Sequence, residues 1–174
     1  MNTVQPTLAP RLTQAWAVLQ TVLDPEVPVV SVCELGIVRE VTLAGEGLHV
    51  VLTPTYSGCP ATELIESSVV AALVAAGLGP VSVALQRAPA WTTDWISAEG
   101  KSKLRDYGIA PPGPAGTDES RVMRFMPRTT APTLDCPRCG SADTERLSAF
   151  GSTACKALYR CRACREPFEH FKPI

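Results

Sequence analysis

The chain has 174 residues, 45% of them apolar and 19% charged, with a formal net charge of −1 at pH 7. That is enough apolar material for a core, which excludes disorder throughout and a coiled coil; its 12 Gly and 16 Pro follow no three-residue period, which excludes a collagen-like helix. The near-neutral balance gives no bulk cationic field toward nucleic acid or anionic lipid, and no basic stretch and apolar block precede Arg11 as in a secretory signal.

Leu12, Trp16, Leu19 and Leu23 recur at helical spacing, and Asp24-Pro25 is expected to end that helix. The period then falls to two. Ile37, Arg39, Val41 and Leu43, followed by Leu48, Val50 and Leu52, predict two strands joined at Ala44-Gly45-Glu46-Gly47. Residues 53–59 form a loop, and Pro60 suits the first turn of a helix running to about Ala76. Residues 67–86 carry no charge, a length that would admit a membrane helix. Gly77, Gly79 and Pro80 divide that run, and Val81, Val83 and Leu85 alternate, so it predicts a helix, a turn and a strand in a core. After an irregular stretch at 89–94, a polar helix is expected near 97–107, closed by Gly108. The order is that of an α/β (α+β) domain over residues 1–108, a small mixed sheet with flanking helices.

Composition shifts after Gly108. Residues 109–133 contain five Pro and predict a semi-extended linker. Residues 1–108 carry six basic and ten acidic groups; residues 109–174 carry ten basic and seven acidic. The last piece, 134–174, is too short to hold a core without a staple.

Seven cysteines are present, an odd number, and five fall between Cys136 and Cys164. Cys136-Pro137-Arg138-Cys139 and Cys161-Arg162-Ala163-Cys164 are two Cys-x-x-Cys knuckles 21 residues apart. Four thiolates from two tight turns make a closed tetrahedral site, suited to structural Zn²⁺ in a zinc ribbon, with a rubredoxin-type iron site as the competitor for the same ligands. Free clustered thiols favour a reducing compartment, hence the cytoplasm. Cys155 reads either as a small buried residue of the ribbon or as a thiol activated by Lys156 for transient metal or sulfur transfer. Arg138, Arg160, Arg162 and Arg165, with Tyr159, Phe168 and Phe171, raise a nucleic-acid ribbon as an alternative; the other reading is that the arginines offset a tetrathiolate's charge and the rings fill a small core. His170 is a weaker alternative ligand, and His49 falls on the polar face of its strand.

Cys59 precedes Pro60 at a predicted helix start, where the helix dipole favours a thiolate; Gly58 allows close backbone approach, and Thr53, Thr55 and Ser57 bring hydroxyls. Asp24, Glu26 and Glu34 are loop carboxylates that cap, face water or approach Cys59. The sequence contains no phosphate loop, nucleophile elbow or His-Glu-x-x-His motif, so an accessory role is expected rather than an autonomous enzyme.

Leu23-Asp24-Pro25-Glu26-Val27-Pro28, Glu34-Leu35-Gly36-Ile37-Val38 and Leu52-Thr53 through Gly58-Cys59-Pro60 resemble the iron–sulfur-cluster-assembly domain of SufT-like proteins and cytosolic cluster-targeting factors. With Pro89-Ala90-Trp91-Thr92-Thr93-Asp94-Trp95-Ile96, Lys103-Leu104-Arg105-Asp106-Tyr107-Gly108-Ile109-Ala110-Pro111-Pro112 and the ribbon, nearly the whole chain resembles the PaaD family of phenylacetate degradation. In the broader family the second motif reads Asp-Leu-Gly, where this chain has Glu34. The resemblance implies an accessory subunit or metallocentre assembly factor of the multicomponent phenylacetyl-CoA 1,2-epoxidase. It assigns iron or a transient iron–sulfur cluster to Cys59, with Asp24 and Glu26 near it; Thr53 and Cys155 are further candidates for cluster or metal transfer. The implied partners are the oxygenase and reductase components, with no nucleic acid and no membrane, and an apolar sheet face can support a dimer.

Overall fold

The first helix, α1 (Leu8–Leu19), opens a computed structural model that describes residues 8–56, 58–113 and 134–173. The chain divides into two compact units, Met1–Trp91 with Trp95–Gly100, and Thr92–Asp94 with Lys101–Ile174.

In the first unit, α1 buries Ala15 and Leu19. It ends four residues short of the expected stop at Leu23. The reason is competition for backbone groups: Val32 N–H donates to Val22 and Asp24 N–H to Val30, which draws the chain into a turn and leaves Leu23 exposed. The period-two segments form β1 (Val38–Ala44) and β2 (Gly47–Leu52), antiparallel, with Ala44 opposite Gly47 across the tight turn. Gly45 has φ +59° there, a conformation that favours glycine. β2 is the centre of a three-stranded sheet, and its other neighbour, β3 (Val81–Leu85), runs parallel to it, Leu48 opposite Val81 through Leu52 opposite Leu85. A parallel pair requires a crossover, supplied by α2 (Thr62–Ala75), which buries Ile65, Val69 and Leu73. Helix α1 packs on β1, α2 on β3, and the two helices on each other.

This topology decides where the loops go. Because β2 and β3 are parallel and β1 begins opposite the end of β2, the segment before β1 and the segments after β2 and β3 all meet one end of the sheet. Backbone bonds stitch them: Thr53 N–H donates to Ile37 and Gln86 N–H to Leu52. Pockets in α/β sheets form at such carboxyl ends of parallel strands.

The second unit contains most of α3 (Ala98–Tyr107), closed by Gly108 at φ +97°. Its sheet has the order β4 (Ile109–Ala110), β7 (Pro167–Phe171), β6 (Lys156–Cys161), β5 (Thr144–Ser148). The start of the expected linker is therefore a strand: Ile109 and Ala110 pair with Glu169 and His170. Residues 114–133 of that linker, like Ser57, lie outside the described residues. One cluster of buried residues in this unit gathers Ala110, Cys136, Ala157, Tyr159, Cys161 and Phe168, with Leu134 and Cys164 against it; Leu104, Ile109 and Phe171 are buried as well. No helix among the described residues is long and apolar enough to cross a membrane.

Candidate metal centre and the Cys59 loop

The two knuckles are built by local backbone geometry. Cys136 N–H donates to Ser141, and Gly140 N–H returns to Cys136 at 2.8 Å, which curls the first knuckle with Gly140 at φ +73°. The second curls equally, Cys161 N–H bonding Glu166, but the residue after its last cysteine is Arg165, at φ +65°. A left-handed conformation costs an L-residue about 1–2 kcal/mol that glycine does not incur.

The result is convergence. The sulfurs of Cys136, Cys139, Cys161 and Cys164 all lie within 4.8 Å of one another. Cys136 Sγ is 3.8 Å from Cys164 Sγ, and Cys139 Sγ is 3.6 Å from Cys161 Sγ. A tetrahedral ion at about 2.3 Å from each sulfur would set them about 3.8 Å apart, so the donor set fits a metal with no closure needed. Backbone N–H groups of Arg138 and Cys164 point at Cys136 Sγ and Cys161 Sγ, both at 3.4 Å. The backbone N–H of Cys164 is the main force drawing the Cys161 thiol down to about 7. Cys164 is pushed up to about 12: a backbone bond from Glu166 favours its thiolate, but burial and the three neighbouring sulfurs outweigh it. Burial and crowding by sulfur thus oppose a thiolate at Cys164 until a cation offsets its charge.

Cys155 lies outside that cluster. It is buried, with Thr153 Oγ1 at 3.0 Å from its sulfur. The adjacent Lys156 directs its ammonium to Glu169 at 3.0 Å, so its charge is committed to a carboxylate, which favours packing over activation. His170 is also separate: its Nδ1 bonds the Ala110 carbonyl at 3.2 Å. His49 is half-buried, its Nδ1 2.9 Å from Ser82 Oγ.

The first unit's candidates occupy the loops at the end of its sheet. Asp24 is buried, and its Oδ1 accepts the N–H groups of Glu26 at 2.9 Å and Val27 at 2.8 Å, fixing the turn that carries Glu26. Ser31 and Glu34 bond reciprocally: Glu34 Oε2 accepts Ser31 N–H at 2.7 Å and Ser31 Oγ accepts Glu34 N–H at 3.1 Å. The carboxylate of Glu34 thus builds the turn. The Ser-x-x-Glu spacing is the signal that would have found it. Cys33, which sequence reasoning did not single out, is half-buried beside it, its thiol pushed up to about 12 by burial and then by the charge of Glu34.

Gly36 has φ +69°, and a Cβ there would lie 2.6 Å from Trp95 Cβ. Trp91 Nε1 donates to the Leu35 carbonyl at 2.9 Å, and Arg39 stacks on Trp95 with its guanidinium carbon 3.5 Å from the ring centroid. The Glu-Leu-Gly turn is therefore clasped by two tryptophans from a distant segment.

Thr53 is 2% exposed, and its Oγ1 has no hydrogen-bond partner among the described residues. Cys59 is half-buried. Helix α2 begins later than expected: Pro60 lies in a preceding turn, Ala61 is the N-cap, and the Cys59 carbonyl accepts Thr62 N–H and Thr62 Oγ1. Gly58 has φ +88°, a conformation that favours glycine, and a Cβ there would meet nothing within 4 Å among the described residues. Thr53 and Cys59 lie on the segment between β2 and α2, and Asp24 and Glu26 on the segment between α1 and β1. Among the described residues, the ligand atoms of Asp24, Glu26 and Cys59 do not converge as those of the four ribbon cysteines do.

Comparison with known proteins matches both units. Residues 12–85 match the iron–sulfur cluster assembly protein family, and residues 123–172 match the PaaD zinc beta ribbon domain. The chain is 49% identical over 165 residues to a 1,2-phenylacetyl-CoA epoxidase subunit of Escherichia coli (strain K12), covering 95% of this chain and 94% of that protein. It is 34% identical over 88 residues to an Fe-S protein maturation auxiliary factor of Porphyromonas gingivalis, covering 49% of this chain and 83% of the relative. A solved domain of unknown function, DUF59, from Bacillus anthracis superposes with a TM-score of 0.53 at 27% identity, over 56% of this chain and 94% of that one. Near-complete coverage at this identity settles the family: the chain belongs to the PaaD family of phenylacetyl-CoA epoxidase subunits.

Proposed function

We propose that this chain is an accessory subunit or metallocentre assembly factor of the multicomponent phenylacetyl-CoA 1,2-epoxidase, acting in the cytoplasm on the oxygenase or reductase component. The observation that carries the reading is an incomplete donor set. Cys59 stands half-exposed on a loop at the sheet end with the buried, unpartnered Thr53 hydroxyl on the same loop, and no closed set of ligands around it among the described residues. One thiolate with one or two oxygens holds iron or a cluster loosely enough to release it. The relevant step is ligand exchange: Cys59 thiolate binds the cargo iron, a client ligand replaces it, and the freed sulfur takes up a proton. Asp24, whose carboxylate organises the adjacent turn, and Glu26 would lend negative charge to that site.

The ribbon has the opposite chemistry. Four sulfurs complete a tetrahedron and leave no position for substrate, so we assign it structural zinc, which would hold the second unit rigid. Cys59→Ser tests the reading. It is expected to leave the fold and ribbon metal intact while lowering the iron content and activity of the client enzyme in cells. Full client activity with that variant would overturn it.

A further inference from the structure

Strands β5 and β6 carry a cavity of about 360 Å³ lined by Glu145, Arg160, Cys161, Arg162 and Arg165. Two of its arginines are engaged. Arg160 donates from Nε and Nη2 to Glu145 Oε1, and Arg162 donates from Nη2 to Oε2 at 3.1 Å. Those bonds, Arg160 first and then Arg162, hold the Glu145 carboxyl below the usual carboxylate range. Arg162 also lies 3.7 Å from Asp143 at the rim. Arg165 makes no hydrogen bond or ion pair among the described residues.

The backbone singles out the same residue. Both knuckles need a left-handed residue after their second cysteine, and the first uses Gly140 at φ +73° without strain. The second uses Arg165 at φ +65°, a strained choice that glycine would relieve. Strain retained for a side chain points to a use for that side chain.

The occupant's chemistry is legible in the cavity. Glu145 shows that this surface receives a carboxylate, one guanidinium on each oxygen through charge-assisted hydrogen bonds, Arg160 on Oε1 and Arg162 on Oε2. No aromatic ring lines this cavity among the described residues: Tyr159, Phe168 and Phe171 are 7%, 4% and 1% exposed, and the exposed ring of Phe150 lies outside the lining with Lys172 Nζ 4.5 Å from its centroid. Nor do Arg160 and Arg162 serve the thiolates directly, since their hydrogen bonds go to Glu145.

We propose that this cavity docks an acidic segment of a protein partner, Arg165 receiving a partner carboxylate as Arg160 and Arg162 receive Glu145. The inference rests on the reading of the chain as an accessory protein with protein clients, and it supplies the surface by which a client is met.

The test is calorimetric titration of the zinc-loaded full chain with an N-acetylated hexaglutamate peptide at low salt, with dodecathymidylate and inorganic phosphate as rivals. The peptide is expected to bind more tightly than either rival and to weaken as salt rises. Arg165→Gly is expected to weaken it about fivefold while the chain retains its zinc and an unlowered thermal midpoint. Glu145→Gln removes the internal competitor and is expected to tighten binding. Absence of peptide binding, unchanged affinity in Arg165→Gly, or tighter binding of either rival overturns the proposal. Should Arg165→Gly lose its zinc, Glu145→Gln decides: tightening supports the site, and no tightening rejects it. Cys59→Ser is expected to bind the peptide like the parent, so failure of the iron-handling reading and failure of this one are told apart.

Discussion

In the ribbon, four sulfurs within 4.8 Å of one another form a set to which the turn geometry contributes, down to backbone N–H groups aimed at Cys136 and Cys161. In the first unit, Cys59 stands on a loop whose Thr53 hydroxyl is buried without a partner among the described residues, while Asp24, on a separate segment, accepts the backbone N–H groups of Glu26 and Val27. The same element, sulfur, stands in two settings, and what separates them is completeness of the donor set. Four ligands with the right mutual distances make a resident ion part of the fold; one ligand makes at best a passing one.

The cores repeat the contrast. The first unit buries Leu19, Leu35, Leu48, Val50, Leu52, Val69 and Leu73, an aliphatic interior that needs no ion. In the second, a cluster of buried residues includes Cys136 and Cys161, which are themselves candidate ligands. Removing the metal is therefore the largest test of the comparison. Chelation, or Cys161→Ser, is expected to cost the ribbon stability on the order of 10 kcal/mol and to abolish its tertiary signals, those of Tyr159 foremost. Helical circular dichroism from α1 and α2 is expected to survive. A ribbon that keeps its near-ultraviolet and amide signals after full metal loss would break the contrast.

Much of the ribbon was legible in the sequence because its chemistry is local. Two Cys-x-x-Cys turns declare four ligands by spacing alone, and the structure needs only a hairpin to bring them together. The strands and helices of the first unit were equally readable from period: the two-residue alternation became β1 and β2, and the uncharged run resolved into α2, a turn and β3. What lay beyond reach was set by distant partners. Nothing local says that Trp91 and Trp95 clasp the Leu35–Gly36 turn, or that Ile109 and Ala110 leave a proline-rich stretch to join β7. The early end of α1 is of the same kind, decided by bonds to residues 30 and 32. The Cys59 loop was legible as a set of residue types, and the site proposed there rests on the resemblance, because its members come from separate segments.

Thr53 sharpens the comparison at an intermediate scale. A buried hydroxyl without a partner weakens the fold, and valine has the same shape without the polar atom. Thr53→Val is expected to raise the first unit's stability by about 1 kcal/mol, read from its urea midpoint, while lowering client activation. A gain in stability with no functional loss would make the hydroxyl a packing residue. A loss of stability would show that it has a partner in solution, and the open-site reading would lose its main structural support.

The smallest expected effect concerns how the ribbon's sheet holds β4. His170 is buried, donates through Nδ1 to the Ala110 carbonyl, and meets Tyr159 edge-on at 5.7 Å between centroids. Burial lowers its pKa below the ordinary imidazole value, and the bond to Ala110 offsets only part of that. In the unfolded chain the ring takes a proton near pH 6.5, while in the folded chain it does so only at lower pH. Its contribution is thus complete above about pH 6.5 and is lost as pH falls from there through the folded value. His170→Gln can still donate to Ala110 but does not titrate. Urea midpoints of the zinc-loaded chain between about pH 7.5 and 5.5 are expected to fall less steeply in that variant. Thiolate protonation is common to both proteins, so the difference between slopes isolates the imidazole. Equal slopes would assign the ribbon's acid sensitivity to its sulfurs alone, making the metal centre the sole determinant of its pH response.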